Sequence, residues 1–166
     1  MGSDSDLPVM AKAAEVLEAF GVEFQMAILS AHRTPVETME FAARAEEEGY
    51  GVLIAGAGMA AHLPGVLAAR TSIPVIGVPI ASGPLQGEDA LFSMVQMPSG
   101  IPVATVGING AKNAALLAVA ILSLSDPALK EKLSAYRQSL REECRRKAET
   151  LAQKGYRELL ENKDDR

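Results

Sequence analysis

The sequence predicts a three-layer α/β domain, flavodoxin-like or Rossmann-like, with an amphipathic helical arm at its C-terminal end. Three observations carry that expectation. Short apolar runs alternate with segments of helical periodicity, the pattern of βαβ units on a parallel sheet. Each apolar run ends in a turn holding glycine, serine or histidine, so polar residues collect at one edge, where open α/β sheets bind ligands. Charge is also uneven: residues 1–125 hold 17 charged residues and residues 126–166 hold 20.

Taken in order, Met1 to Asp6 is a glycine and hydroxyl loop, and Asp6 is placed to cap the next helix. That helix has Pro8 in its first turn and apolar Met10, Ala13, Ala14, Leu17 and Phe20 on one face, with Gly21 as its stop. Val22–Leu29 reads as a buried parallel strand, followed by the turn Ser30-Ala31-His32-Arg33-Thr34-Pro35. A helix is expected from Pro35 to Glu48, ended by Gly49. Val52–Ala55 reads as a strand feeding a loop at 56–61, then a helix from His62 to Arg70. Val75–Val78 is another strand between two prolines, Ala81–Gly87 a loop, and Glu88–Met97 a helix. Ile101–Val106 is the fourth strand. Ala111–Leu122 is so apolar that it must be a buried helix.

From Pro127, apolar Leu129, Leu133, Tyr136, Leu140, Cys144, Ala148 and Leu151 recur every three or four residues, giving one long amphipathic helix with a break near Gly155. Its narrow stripe can pack on its own sheet or on another subunit, and periodicity does not choose. We therefore divide the chain into an α/β domain, 1–125, and an arm, 126–166.

Composition narrows the function. The chain has 166 residues, enough for one domain with a real core, and 48% of them are hydrophobic. No apolar run reaches the ~20 residues that span a bilayer, and no cationic leader precedes an apolar segment. The lone Cys144 allows no intrachain disulfide and no metal cluster, and two histidines without spaced partners make no zinc site. These features predict a cytoplasmic protein without a metal. Residues 1–125 carry 5 Lys/Arg against 12 Asp/Glu, an acidic body that does not suit nucleic acid.

The turn at 30–35 is the first candidate site. His32 stands at a strand's carboxyl end among Ser30, Arg33 and Thr34, and histidine is the side chain whose ordinary pKa suits proton transfer near neutrality. A backbone-bonded turn histidine is the plainer alternative. Arg33 has the planar fork that grips two phosphate oxygens. Ser3, Ser5 and the amides of 2–6 would face the same anion at a helix start. Asp6 can cap a helix or accept from ribose hydroxyls. Gly56-Ala57-Gly58 allows close approach of backbone to a ligand, or is an ordinary tight turn. His62 orients a loop or caps a helix, and Cys144 packs on the tail stripe.

Five motifs then fall in register: Met-Gly-Ser-Asp-Ser-Asp at 1–6, Ser-Ala-His-Arg-Thr-Pro at 30–35, Ala-Gly-Ala-Gly-x-Ala-Ala-His-Leu-Pro-Gly at 55–65, Gln-Met-Pro-x-Gly-Ile-Pro-Val at 96–103 and Lys-Asn-Ala-Ala-Leu-Leu-Ala at 112–118. Together they resemble the class I form of the aminoimidazole ribonucleotide carboxylase family, the N5-carboxyaminoimidazole ribonucleotide mutases of purine biosynthesis. The resemblance implies a carboxylate moved from the exocyclic nitrogen to ring carbon 4, through trapped carbon dioxide, with no cofactor. It implies that His32 carries the proton, that Ser3 and Arg33 face phosphate, and that Asp6 faces ribose. Ser30, Gly56, Ala57 and Gly58 would support substrate and carbon dioxide, with His62 positioning them. It further implies a homo-octamer whose arms reach neighbouring subunits. Two other functions stay open: a class II enzyme using carbon dioxide directly, and a non-catalytic phosphate- or nucleotide-binding module.

The family pattern also has a strand just before the Met-Gly-Ser loop, central in the sheet. We expect either that the natural chain starts upstream or that this copy is shortened and less stable. Met59 stands where many members have glycine. We expect an ordinary backbone there and an apolar wall near the pocket.

Overall fold

A computed structural model describes residues 1–164. Three parallel strands, β1 (Leu53–Gly58), β2 (Val75–Ile80) and β3 (Ala104–Thr105), lie in the order β1-β2-β3. Leu53 pairs with Val75 and Gly58 with Ile80, while Ile76 pairs with Ala104. The strands alternate their faces as a pleat demands. Leu53, Ala55 and Ala57 point into one core layer with α2 (Pro35–Arg44), α3 (Leu63–Ala68) and α4 (Glu88–Val95). Ile76, Val78 and Ile80 join the other, with α1 (Leu7–Phe20) and α5 (Ala111–Leu122). All six residues of β2 are buried, as a strand covered on both faces requires.

The opposite layer follows from spacing. Met10, Ala13, Leu17 and Phe20 are buried along one stripe of α1, and Gly21 closes the helix in the left-handed region (φ 68°). Alanines 111, 114, 115 and 118 let α5 lie close against α1. The arm, α6 (Pro127–Asp164), starts on this layer: Leu129 and Leu133 are buried, Tyr136 stacks edge-on against Phe20 at 5.6 Å, and Lys132 Nζ donates to the Phe20 carbonyl at 2.8 Å. A cation at the last carbonyls of α1 also suits its dipole. The first turns of the arm therefore pack on its own domain. Beyond them Leu140, Leu151, Tyr156 and Leu160 are exposed, as is Cys144, which was expected to pack on the stripe. The expected break is present, with Gly155 at φ 73° and ψ 166°. Residues 165 and 166 of the expected arm lie outside the described residues.

Several elements differ from expectation. Val22–Leu29 is not a strand. A strand needs a partner about 4.8 Å away, and this segment stands about two strand-spacings from β1, with room for one chain between them. Only Met1 and Gly2 span the interval: the Met1 ammonium donates to the Ala27 carbonyl (2.9 Å), Leu29 N–H to the Met1 carbonyl (2.8 Å) and Gly2 N–H to the Gly56 carbonyl (3.1 Å). Elsewhere the two segments enclose an apolar cleft of about 260 Å³, lined by Leu17, Phe24, Met26, Leu53, Ala118 and Leu122 among others. The cleft lies between the segments that were expected to flank a further strand.

The fourth expected strand shrinks to Ala104–Thr105, because Pro102 cannot donate to a ladder. Helix α2 ends at Arg44, in turns up to Gly49, and α3 spans only Leu63–Ala68. β1 is longer than expected and takes in Gly56, Ala57 and Gly58, which are strand residues rather than loop. Its glycines are set by packing. A Cβ on Gly56 would stand 2.4 Å from Met10 Sδ, and one on Gly58 2.1 Å from Ser82 Oγ and 3.1 Å from the Ile80 carbonyl. We expect Gly58→Ala to cost about 1–3 kcal/mol, the usual range for overpacking, read from chemical denaturation midpoints.

Candidate active site

The carboxyl end of β1, the turn after the extended segment 22–29 and the starts of the neighbouring helices bring the sequence candidates together. The turn at 30–35 is closed by its own hydroxyls. Thr34 N–H donates to the Ser30 carbonyl (2.8 Å), Ser30 N–H to Thr34 Oγ1 (2.9 Å), and Arg33 N–H to Ser30 Oγ (3.2 Å). Pro35 then opens α2 in the first helical turn. Arg33 reaches across the cleft's upper end, donating from Nη2 to the Gly2 carbonyl (2.6 Å) and from Nε to Ser30 Oγ (3.3 Å). Gly2 in turn binds Gly56. Three separate stretches, 1–6, 30–35 and the end of β1, are thus tied into one surface.

On the 1–6 loop, Ser3 rather than Asp6 caps the first turn. Ser5 N–H donates to Ser3 Oγ (3.4 Å), and the Asp6 carboxylate accepts from Ser3 N–H (3.0 Å), a reciprocal capping box. Asp6 is 7% exposed. Burial pushes its pKa above the ordinary carboxylate value, outweighing the amide hydrogen bonds and the Met1 ammonium, which favour the charged form. A raised native pKa means that the folded state holds the proton more tightly than the unfolded chain. Its stabilising contribution is therefore full below the ordinary value near 4 and is lost as pH rises through the raised one. Asp6→Asn keeps an acceptor for Ser3 and removes this dependence. It should equal or exceed the parent in stability at neutral pH while flattening the profile, measured by urea unfolding between pH 4 and 8.

The two histidines meet. His32 Nε2 lies 2.6 Å from His62 Nδ1, with the rings edge-to-face at 89° and centroids 4.9 Å apart. His62 occupies the N-cap of α3, but its side chain makes no capping bond. The sequence allowed it to cap a helix or orient a loop; the ring instead faces His32. Ala57 is 7% exposed and points into the α2–α4 layer, so only the backbone of this part of β1 reaches the edge. Ser5, expected beside Ser3, contributes its amide to the cap.

Met59 departs from the expected ordinary backbone. Its φ is +53°, the left-handed region that disfavours a side chain. The side chain is half-exposed and lies over Gly83, whose added Cβ would be 3.3 Å from Met59 Cγ. Gln86 and Asn109 also have positive φ, 50° and 56°. The sequence reading missed Asn109. Its Oδ1 accepts from Ala81 N–H (2.9 Å) and its N–H donates to the Pro79 carbonyl (2.8 Å), fixing the loop that leaves β2. The signal was there in Gly-Ile-Asn-Gly, since asparagine tolerates αL. Among the described residues, no group of three or more His, Cys, Asp or Glu side chains is arranged to hold a metal, and no helix is long and apolar enough to cross a membrane.

A parallel α/β domain with a histidine pair, an arginine and a hydroxyl loop gathered at the strands' carboxyl edge defines a flavodoxin-like protein built to handle a small polar ligand. Comparison with known proteins makes this specific. Residues 1–143 match the AIR carboxylase family, and the chain belongs to it. It is 62% identical to the N5-carboxyaminoimidazole ribonucleotide mutase of Pyrococcus abyssi, over 97% of this chain and 92% of that one. With the mutase of Thermotoga maritima it shares 54% identity, over 99% and 96% of the two chains. Among solved structures, Treponema denticola PurE superposes with a TM-score of 0.78 at 32% identity, covering 93% of this chain and 95% of that one.

Proposed function

We infer that the chain is an N5-carboxyaminoimidazole ribonucleotide mutase, an isomerase of purine biosynthesis that moves a carboxylate from the exocyclic nitrogen to carbon 4 of the imidazole. The observation that carries this reading is the paired-histidine edge beside the Arg33–Gly2 tie, in a chain more than half identical to mutases along nearly its whole length. The remaining side-chain roles follow from the chemistry required.

The substrate is a phosphorylated ribose carrying an aminoimidazole. Arg33 supplies a planar charged fork and Ser3 a hydroxyl beside the amides of residues 2–6, a combination that suits the phosphate. Asp6, an acceptor next to this loop, suits the ribose hydroxyls. The N-carboxy group leaves as carbon dioxide while the nitrogen gains a proton. Carbon 4 of the enamine-like ring attacks the carbon dioxide, and the proton on carbon 4 is then removed. One base that alternates between acid and base can serve both proton steps, and we assign that role to His32. Ser30 and the backbone of Gly56, Ala57 and Gly58 would border the carbon dioxide. Ala57 and Ala61 are buried in the core layer beneath this edge, so the floor of the site is apolar, which suits a pocket that must hold carbon dioxide.

The exposed stripe of α6 supports the further reading that the arm, residues 126–166, packs on a neighbouring subunit in an octamer, and that the enzyme works in the cytoplasm. An ultraviolet assay following interconversion of the two carboxylated nucleotides tests the function. Turnover without added bicarbonate establishes the mutase. A rate that depends on bicarbonate makes it a direct carboxylase, and ligand binding without turnover makes it a binding module.

A further inference from the structure

We propose that the Ser82 hydroxyl, on the loop that leaves β2, is a contact for the migrating carboxylate. The proposal rests on the mutase reading for its ligand and on the backbone for its site. Among the described residues, three that are not glycine hold a left-handed backbone: Met59, Gln86 and Asn109. Each secures a neighbour of Ser82. Asn109 Oδ1 accepts from Ala81 N–H at 2.9 Å. Gln86 Nε2 donates to the Gly83 carbonyl at 3.0 Å, and Met59 lies over Gly83 from the end of β1. Gly87 lies so close behind the loop that a Cβ on it would stand 3.1 Å from Ala81 Cα. Left-handed backbone at a residue with a side chain is costly and persists where the surroundings impose it, commonly at binding sites. Here all three such residues converge on the two that flank position 82.

The side chain held in this way is directed and uncommitted. It occupies the place where Gly58 would carry a side chain. Gly56, on the same face of β1, turns that face to Met10 of α1. The hydroxyl therefore stands at the end of β1 on the side that carries α1 and, at its start, Ser3 and Asp6. Ser82 is partly buried, and among the described residues its Oγ has no hydrogen-bonding partner. Ser30 Oγ, by contrast, already accepts from Arg33 N–H and Nε. A free hydroxyl can donate to a carboxylate oxygen. Its neutrality suits the reaction. The carboxylate loses its charge when it leaves as carbon dioxide, so a guanidinium bonded to it would stabilise the ground state and oppose that step. A hydroxyl orients the group while opposing its departure less.

Direct titration of two probes tests the contact: the product nucleotide, with its carboxylate on carbon 4, and the same nucleotide lacking the carboxylate. Ser82→Ala should weaken binding of the first about 10–100-fold, the usual worth of a hydrogen bond to a charged group. The second should stay within a factor of about two. Ser82→Cys keeps the shape of the side chain with a much weaker donor, and it should show the same selective loss even where Ser82→Ala does not fold. Equal weakening of both probes, unchanged binding of both, or a preference fully restored by cysteine overturns the proposal. If the wild type interconverts the nucleotides and its preference for the carboxylated probe survives Ser82→Ala, the contact falls and the mutase stands. If it does not interconvert them but that preference is lost in Ser82→Ala, the mutase reading falls and the contact stands. A wild type that binds neither probe overturns both.

Discussion

Replacing His32 by asparagine is expected to lower turnover by about 10²–10⁴-fold while leaving nucleotide binding nearly intact. That range is what a positioned proton-transfer group supplies. Asparagine retains a hydrogen-bonding atom near the imidazole position and carries no charge, so the turn closed by Ser30 and Thr34 has no reason to open. The phosphate contacts proposed for Arg33 and Ser3 do not pass through the ring. Steady-state rates together with direct titration of the product nucleotide decide the matter. Retained turnover would remove His32 from the chemistry, and lost binding would make it a contact residue instead.

The second large effect concerns the cleft between Val22–Leu29 and β1. Extending the chain upstream of Met1 with five or six β-branched apolar residues should place a strand there, hydrogen-bonded on both sides. Met1 already sets the register, through Ala27 and Leu29 on one side, and Gly2 does so through Gly56 on the other. Taking about 24 cal/mol per Å³ of apolar cavity, a cleft of about 260 Å³ corresponds to a ceiling of roughly 6 kcal/mol. At about 2–4 °C per kcal/mol for a domain of this size, half of that ceiling raises Tm by roughly 6–12 °C. Calorimetry of the extended and present chains measures it. A shift below about 2 °C would mean that the cleft closes by itself in solution.

The sequence made the architecture legible because apolar runs and helical stripes are local signals. Met10, Leu17 and Phe20 mark the face of α1, and Val75–Ile80 reads as a strand wherever it is read. Val22–Leu29 shows where such a signal stops: the run has the composition of a strand, but a ladder depends on what lies alongside, and no window of sequence contains its neighbour. Gly56 and Gly58 teach the same lesson at the site. Glycine is common in turns, so they read as loop residues, whereas Met10 and Ser82, remote in sequence, are what exclude a side chain. His32 and His62 were each recognisable singly from their turns. Their contact across thirty positions was not, since it needs β1 and the segment at 22–29 to end at the same height.

The place of Met10 has a consequence for oxidative damage. Its thioether lies directly beneath Gly56 and also lines the open cleft, so peroxide has a path to a sulfur that would otherwise be sealed in the core. A sulfoxide there adds a polar oxygen with no partner and pushes on the β1 backbone from behind. Through the Gly56–Gly2 bond the displacement reaches Arg33, so one oxidised core methionine disturbs a site that it never touches.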